Sequence, residues 1–247
     1  MAEGLTITVN TPNTPLLLRE MKALRNEKDA QGLMRFFKTG KGEYGEGDQF
    51  LGIRVPATRE VVKRLWKETT MADLEVCIES PWHEVRLASL LTLIQIFKHN
   101  KKDKAIQQAC IDFYLAHTNR INNWDLVDLS CYELLGNWLL DKDRSILYDL
   151  ARRGKTIWEQ RIGIVTTMQF LRHGETQDTY TIADILLHHT HDLIHKAVGW
   201  LLREAGKRNE AELTYYLDTR HHTMPRTMLR YAIERLDDKQ RQKYMKR

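Results

Sequence analysis

A basic residue at the start of an apolar helical segment recurs along this chain, and the spacing of its copies limits the possible folds. The copies are residues 84–88, 159–163, 194–197 and 228–232. Their basic residues are Arg86, Arg161, Lys196 and Arg230. These stand 75, 35 and 34 positions apart, so one copy is skipped, and Trp124 falls in its place. A period in the mid-thirties with two helices per unit is typical of an α-solenoid.

Apolar residues with the period of an α-helix fill nearly all of the chain after Asn13. Four prolines, at positions 15, 56, 81 and 225, each stand at the front of such a segment, where a missing N–H group is harmless. The pattern predicts roughly a dozen helices joined by short connections. We therefore predict an all-α chain, an α-solenoid of degenerate HEAT-like repeats forming one domain over residues 14–247, with a flexible tail over residues 1–13.

A glycine-rich stretch, residues 38–48, is the only long irregular segment in the pattern. It lacks the Gly-Lys-Ser/Thr ending of a phosphate-binding loop. We therefore interpret it as a flexible connector between helices.

Composition excludes several classes of protein. The apolar run near residues 90–97 is far shorter than the ~20 residues that span a bilayer. Residues 1–13 lack the pattern of a secretory signal, so the expected location is the cytoplasm, with no membrane partner. The three cysteines have no paired spacing and are expected to be reduced thiols in the core; they are Cys77, Cys110 and Cys131. The histidines show no metal-ligand spacing, so no metal or other cofactor is expected.

The net charge of +5, from 38 basic and 33 acidic residues, is too small to establish nucleic-acid binding by itself. Its distribution is more informative. In a solenoid, equivalent positions of successive repeats line up along one concave surface, so the recurring basic residues would form a stripe. Helix N-termini would add partial positive charge to that stripe. The alternative is that these residues are simply exposed to solvent.

The segment Asn122–Asp128 places an indole and a carboxylate four residues apart, which puts Trp124 and Asp128 on one face of a helix. An acidic side chain on a surface that attracts phosphate weakens the binding of DNA, so its presence there suggests a functional role. The pair therefore suggests chemistry on a nucleic acid. Taken singly, Trp124 is equally consistent with a core aromatic residue, and Asp128 with an acid on a helix surface.

Four sequence blocks resemble the AlkD-type DNA glycosylases, HEAT-like proteins that remove alkylated purines. The blocks are residues 50–56 with Arg59, residues 123–128, residues 157–161 and residues 195–204. The resemblance implies that Asp128 is the catalytic carboxylate and that Trp124 and Trp200 flank the deoxyribose bearing the lesion. It also implies that Arg161 holds the nearby phosphate backbone and that Arg59 contacts DNA.

The expected site follows from the stripe and the matched blocks together. The candidate catalytic residues are Asp128, Trp124 and Arg161. The candidate DNA contacts are Trp200, Arg59, Arg54, Arg86, Lys196, Arg203 and Arg230. The expected partner is double-stranded DNA that contains alkylated purines, bound by a monomer.

The residues permit a specific chemistry. An aspartate with an ordinary pKa near 3.9 is ionised at neutral pH, and flanking cations should keep it so. A purine alkylated at N3 or N7 is already cationic and leaves without being protonated. The group to be stabilised is therefore the sugar, which gains positive charge as the bond to C1′ breaks, as in glycoside hydrolysis. A fixed carboxylate would stabilise the developing cation. The resemblance implies a glycosylase that acts without flipping the base. No lysine nucleophile is evident in the sequence, so the glycosylase is expected to be monofunctional, without strand-nicking activity.

Two other functions remain open from the sequence. A non-catalytic DNA-binding solenoid would share the basic stripe but would not need the carboxylate of Asp128. A protein-interaction scaffold is common among α-solenoids and would not bind DNA in a salt-dependent way.

Overall fold

The computed structural model describes residues 14–246, and their regular structure is α-helical. One isolated bridge pairs Gln49 with Trp82 outside the helices. The predicted all-α class is confirmed. The predicted tail, residues 1–13, lies outside the described residues.

Two compact units divide the chain, with the boundary between Thr92 and Leu93. The helices that begin in the first unit are α1 (Leu16–Ala23), α2 (Glu27–Phe36), α3 (Val55–Leu65), α4 (Met71–Ile78) and α5 (His83–His99). The second unit contains α6 (Lys104–Ala116), α7 (Trp124–Asp128), α8 (Ser145–Arg153), α9 (Ile157–Val165), α10 (Met168–Arg172), α11 (Gln177–Leu186), α12 (Asp192–Arg208), α13 (Glu210–Arg220), α14 (Arg226–Ala232) and α15 (Asp238–Met245). A 3-10 turn, Thr118–Arg120, precedes α7, and a π-helical turn, Tyr132–Gly136, follows it.

The prolines mark helix starts, as the sequence predicts. Pro15 and Pro225 are the N-cap residues of α1 and α14, and Pro56 lies in the first turn of α3. Pro81 stands two residues before α5. The fixed φ of proline suits these positions, and no intrahelical hydrogen bond is lost there.

The second unit is built as an array of repeats. Helix α7 packs on α9, α9 packs on α12, and α12 packs on α14. Helices α8, α11 and α13 form the other layer, in contact with α9 or α12. The recurring sequence positions therefore fall on successive neighbours of one layer: Trp124 on α7, Arg161 on α9, Lys196 on α12 and Arg230 on α14. This nearest-neighbour packing is the organisation of a helical repeat protein.

Small residues let the helices of this array approach closely. A Cβ atom added at Gly199 would lie 2.5 Å from the Met228 carbonyl oxygen and 2.5 Å from the Cβ atom of Tyr231. A Cβ atom at Gly163 would lie 2.8 Å from the Leu147 carbonyl oxygen. Glycine is therefore required where α12 crosses α14 and where α9 crosses α8, since any side chain would push the backbones apart.

The glycine-rich segment of the first unit is anchored, which corrects the prediction of a simple flexible connector. Its amide N–H at Gly45 donates to the Lys38 carbonyl oxygen at 3.0 Å. Its end carries Asp48, whose buried carboxylate is paired with Arg86 and lies 2.9 Å from Nδ1 of His83. A buried acid with two partners holds the segment against the start of α5, because leaving that charge alone would cost several kcal/mol, on the order of 3–5.

Glu84 fixes the chain that follows the connector. Its buried carboxylate accepts hydrogen bonds from the backbone N–H groups of Leu51, Gly52 and Ile53, at 2.8, 2.8 and 3.0 Å. Three donors around one carboxylate satisfy a buried charge without a cation. The segment that enters α3 is thereby attached to α5.

The three cysteines are buried and form no disulfide, as predicted. Burial raises the pKa of the Cys77 thiol to about 12 and that of Cys110 to about 11, so both are unreactive thiols at neutral pH. No helix within residues 14–246 has the length and apolar character needed to cross a bilayer.

Candidate active site

Helix α7 carries two of the predicted site residues at its two ends. Trp124 is its first residue and Asp128 its last, and both are half-buried. The Asn123 side chain caps the helix by accepting the Trp124 N–H at 2.9 Å. Leu126 and Val127 are fully buried, and their burial contributes about 1.5–3 kcal/mol each to holding α7 in place.

Asp128 is held by a two-pronged ion pair with Arg161 of α9. The guanidinium Nε donates to Oδ1 of Asp128 at 2.8 Å, and Nη2 donates to Oδ2 at 2.7 Å. The Arg161 side chain is 7% exposed and that of Asp128 is 17% exposed, so water screens the pair poorly. Parallel N–H···O bonds fix the plane of the carboxylate as well as its position.

Arg161 has a further partner inside the protein. Its Nη1 donates to the carbonyl oxygen of Leu193, in the first turn of α12. Three of the five guanidinium N–H groups are thus engaged. The resemblance implies that Arg161 holds the DNA backbone, and that role stays a prediction. The structure shows that Arg161 orients Asp128, which the sequence did not reveal.

Burial raises the pKa of Asp128 above its ordinary value of 3.8, Arg161 opposes the rise, and the charge of Asp125 adds to it. The expectation of an ordinary pKa maintained by several cations is therefore wrong. The paired geometry nevertheless favours the ionised form, because each carboxylate oxygen accepts an N–H from a guanidinium cation. One guanidinium, rather than a general cationic surface, favours the charged form of the carboxylate.

Helix α12 carries three of the predicted DNA contacts. Trp200 is half-buried. Lys196 donates to Asp192 one turn earlier, at 2.8 Å, and its side chain is 40% exposed. Arg203 is paired with Glu234 and lies 3.7 Å from Glu204, so this guanidinium is engaged within the protein.

The remaining candidate contacts fall into two groups. Arg54 is the N-cap residue of α3, Arg59 lies within that helix, and Arg230 lies on α14; all three are exposed. Arg86 is different, since only 2% of its side chain is exposed and its guanidinium binds Asp48 and the Ser80 carbonyl oxygen. We therefore correct its assignment: Arg86 is a buried structural residue of the first unit and is not available to a phosphate.

The sequence could not reveal the Leu193 carbonyl, because a backbone group leaves no residue signature. Within residues 14–246, no three His, Cys, Asp or Glu side chains are arranged to hold a metal ion.

Comparison with known proteins adds to this geometry. No curated protein matches the sequence. A solved structure described as a predicted DNA alkylation repair enzyme from Enterococcus faecalis matches the fold with a TM-score of 0.66, at 16% identity over 87% of this chain and 97% of that one. The family model for the DNA alkylation repair enzyme matches residues 17–236. That range includes all four blocks on which the resemblance was based and confirms it. This chain therefore belongs to the DNA alkylation repair enzyme family.

Proposed function

We propose that this protein is a monofunctional DNA glycosylase that hydrolyses the N-glycosidic bond of N3- or N7-alkylated purines in duplex DNA, acting as a monomer. Membership of the family supports a role in alkylation repair, with DNA as the partner. The observation that carries the proposal is the Asp128–Arg161 ion pair, which fixes an ionised carboxylate at the end of α7, on the same helix as Trp124.

The proposed reaction begins with a base that is a good leaving group. The bond from C1′ to the purine nitrogen breaks, and its electron pair neutralises the alkylated base, so no general acid is needed. The deoxyribose then carries oxocarbenium character. The Asp128 carboxylate stabilises this cation and orients a water molecule, which adds to C1′ and gives up a proton to solvent. Arg161 keeps the carboxylate ionised and aligned throughout.

Trp124 and Trp200 would contribute ring faces to the same cation. Both indoles are half-buried, so each is held by packing and still exposes part of its surface. Cation–π attraction between an indole and a positive centre is worth about 0.5–2 kcal/mol, depending on how much water is excluded.

We expect Trp124→Ala to lower the single-turnover rate of base release by about tenfold, the change that corresponds to ~1.4 kcal/mol of lost transition-state stabilisation. Trp124→Phe should lose less, because a phenyl ring keeps a weaker ring face. Trp138→Phe is the control for Trp124→Phe, since a lysine already lies over that indole, with Nζ of Lys142 4.1 Å from the ring centroid. Equal rates for Trp124→Ala and the wild type would remove Trp124 from the site.

We further propose that the lesion is processed without entering an enclosed pocket. A cleft of about 930 Å³ in the second unit is lined by residues such as Lys98, Trp138 and Arg172, and not by Trp124 or Asp128. Selectivity would then come largely from the lability of the cationic lesion itself.

The experiment that tests the function is a base-release assay. The protein is incubated with duplex DNA that contains 7-methylguanine or 3-methyladenine, and free base is separated and counted. Release faster than the spontaneous rate, without strand nicking, is the expected result. Release at the spontaneous rate for both lesions would reject the proposal.

A further inference from the structure

A run of histidines lies in the segment that binds Arg161. His191 is the N-cap residue of α12, and its Nδ1 accepts the backbone N–H of Leu193 at 3.1 Å. The carbonyl of the same Leu193 accepts from Arg161. One imidazole, one backbone residue and one guanidinium therefore connect in series to the carboxylate of Asp128.

Two more histidines fix the backbone of this segment. Nδ1 of His189 accepts the backbone N–H of His191 at 3.0 Å, which leaves the ring proton on Nε2, 2.9 Å from Oε1 of Gln160 on α9. His195 donates from Nε2 to the His189 carbonyl oxygen. Each hydrogen bond assigns one tautomer, so the network requires neutral rings at His189 and His191.

We propose that His191 is a positioning residue for the glycosylase reaction: its neutral ring caps α12, fixes the Leu193 carbonyl and so keeps Arg161 and Asp128 aligned. The inference rests on the proposed function, and it assigns a task to a histidine whose sequence spacing showed none. His191 itself does not need to touch DNA.

The charges around His191 determine when the cap is lost. Burial lowers the pKa of His191 below 6.5; His195 and Arg161 lower it further, and Asp192 opposes them. Burial also lowers the pKa of His189. The neutral cap is therefore present at pH 7 and above. As the pH falls below 6.5 and through the lowered pKa, the ring gains a proton on Nδ1 and can no longer accept the Leu193 N–H.

The first test needs no substrate. In ¹⁵N-labelled protein, the Nε–H signal of Arg161 is identified by its absence in Arg161→Lys and followed from pH 8 to pH 5. We expect the Arg161 signal of the wild type to shift or broaden on acidification. In His191→Asn the part of this change that comes from protonation of His191 should be absent, because Oδ1 of asparagine replaces Nδ1 as the acceptor and does not titrate. In His191→Ala the signal should be perturbed already at pH 8. Identical titrations in the wild type and His191→Asn would overturn the proposal.

The second test uses base release. His191→Ala should lower the single-turnover rate about tenfold at neutral pH, and His191→Asn should restore it. On the acidic side of the profile, the slope of log rate against pH should fall by one in His191→Asn, because one titrating group has been removed. The slope that is left would come from Asp128 and His189. The control is His188→Asn, at an exposed histidine of the same segment, which should reproduce the wild-type profile.

The two tests separate the two possible failures. If the wild type releases no base, the glycosylase proposal fails while the Arg161 signal still decides whether His191 aligns the ion pair. If base is released but His191→Ala and His191→Asn both match the wild-type profile, the positioning role fails and the glycosylase proposal stands.

Discussion

Asp128→Asn is expected to lower the rate of base release by about 10²–10³-fold, the usual loss when a fixed electrostatic group is removed from the transition state. Asparagine keeps the shape of the side chain and one acceptor oxygen, but it cannot stabilise a sugar cation with a full charge. Binding to the duplex should be retained or become tighter, because a negative charge is removed near phosphates. Loss of turnover together with retained binding would identify Asp128 as catalytic.

The measurements are single-turnover release of 7-methylguanine and fluorescence anisotropy with the same labelled duplex. Asp149→Asn is the matched control, since it removes one exposed carboxylate from α8 and makes the same change in net charge. The alternative of a non-catalytic DNA-binding protein predicts no base release by any of these proteins, and unchanged or tighter DNA binding by Asp128→Asn. If Asp128→Asn and Asp149→Asn release base at the same rate, the carboxylate is not part of the reaction.

Removing the charge of Asp128 also leaves Arg161 without its charged partner, and that effect must be separated from catalysis. Arg161→Lys retains a cation but loses the two parallel hydrogen bonds. We expect it to bind DNA and to release base more slowly than the wild type, with a thermal melting temperature close to that of Asp128→Asn. A slow rate in a variant that is folded at the assay temperature then reports on alignment rather than on unfolding.

The sequence predicts the local structure of this chain well because the relevant signals are local. Prolines fix where helices start, and the period of apolar residues predicts which residues face inward. The spacing of Arg161, Lys196 and Arg230 predicts neighbouring helices, since each repeat packs only on the next. Trp124 and Asp128 fall on one short helix for the same reason.

The sequence fails where a partner is distant along the chain. A basic residue at the start of an apolar helix has the same pattern whether its guanidinium is exposed, as in Arg230, or buried, as in Arg86 and Arg161. The partners of the two buried residues are distant: Arg86 binds Asp48, 38 positions away, and Arg161 binds Asp128, 33 positions away. Neither pairing is encoded in helical periodicity. The tautomers of the histidines before α12 likewise depend on backbone groups that only the folded chain brings together.

Arg86→Ala is expected to lower the free energy of unfolding by about 3–5 kcal/mol, because it leaves the carboxylate of Asp48 buried with only His83 as a partner. Among the molecules that are folded, Arg86→Ala should not change the salt dependence of DNA binding.

Arg59→Ala is the opposite case. Arg59 is exposed on α3, so its loss should leave the melting temperature unchanged and, if it contacts a phosphate, reduce the slope of log affinity against log salt by about one.

Urea unfolding and the salt dependence of DNA binding, measured by anisotropy on the wild type, Arg86→Ala and Arg59→Ala, distinguish a structural arginine from a DNA contact. Arg86→Lys provides a second variant in case Arg86→Ala does not fold: it keeps the charge facing Asp48 but weakens the hydrogen bond to the Ser80 carbonyl oxygen, so its stability should lie between those of Arg86→Ala and the wild type. If Arg86→Lys and Arg86→Ala are as stable as the wild type and reduce the salt slope, Arg86 contacts DNA after all. In that case the first unit would have to open at Asp48 on binding, since a buried guanidinium cannot reach a phosphate while that ion pair is intact.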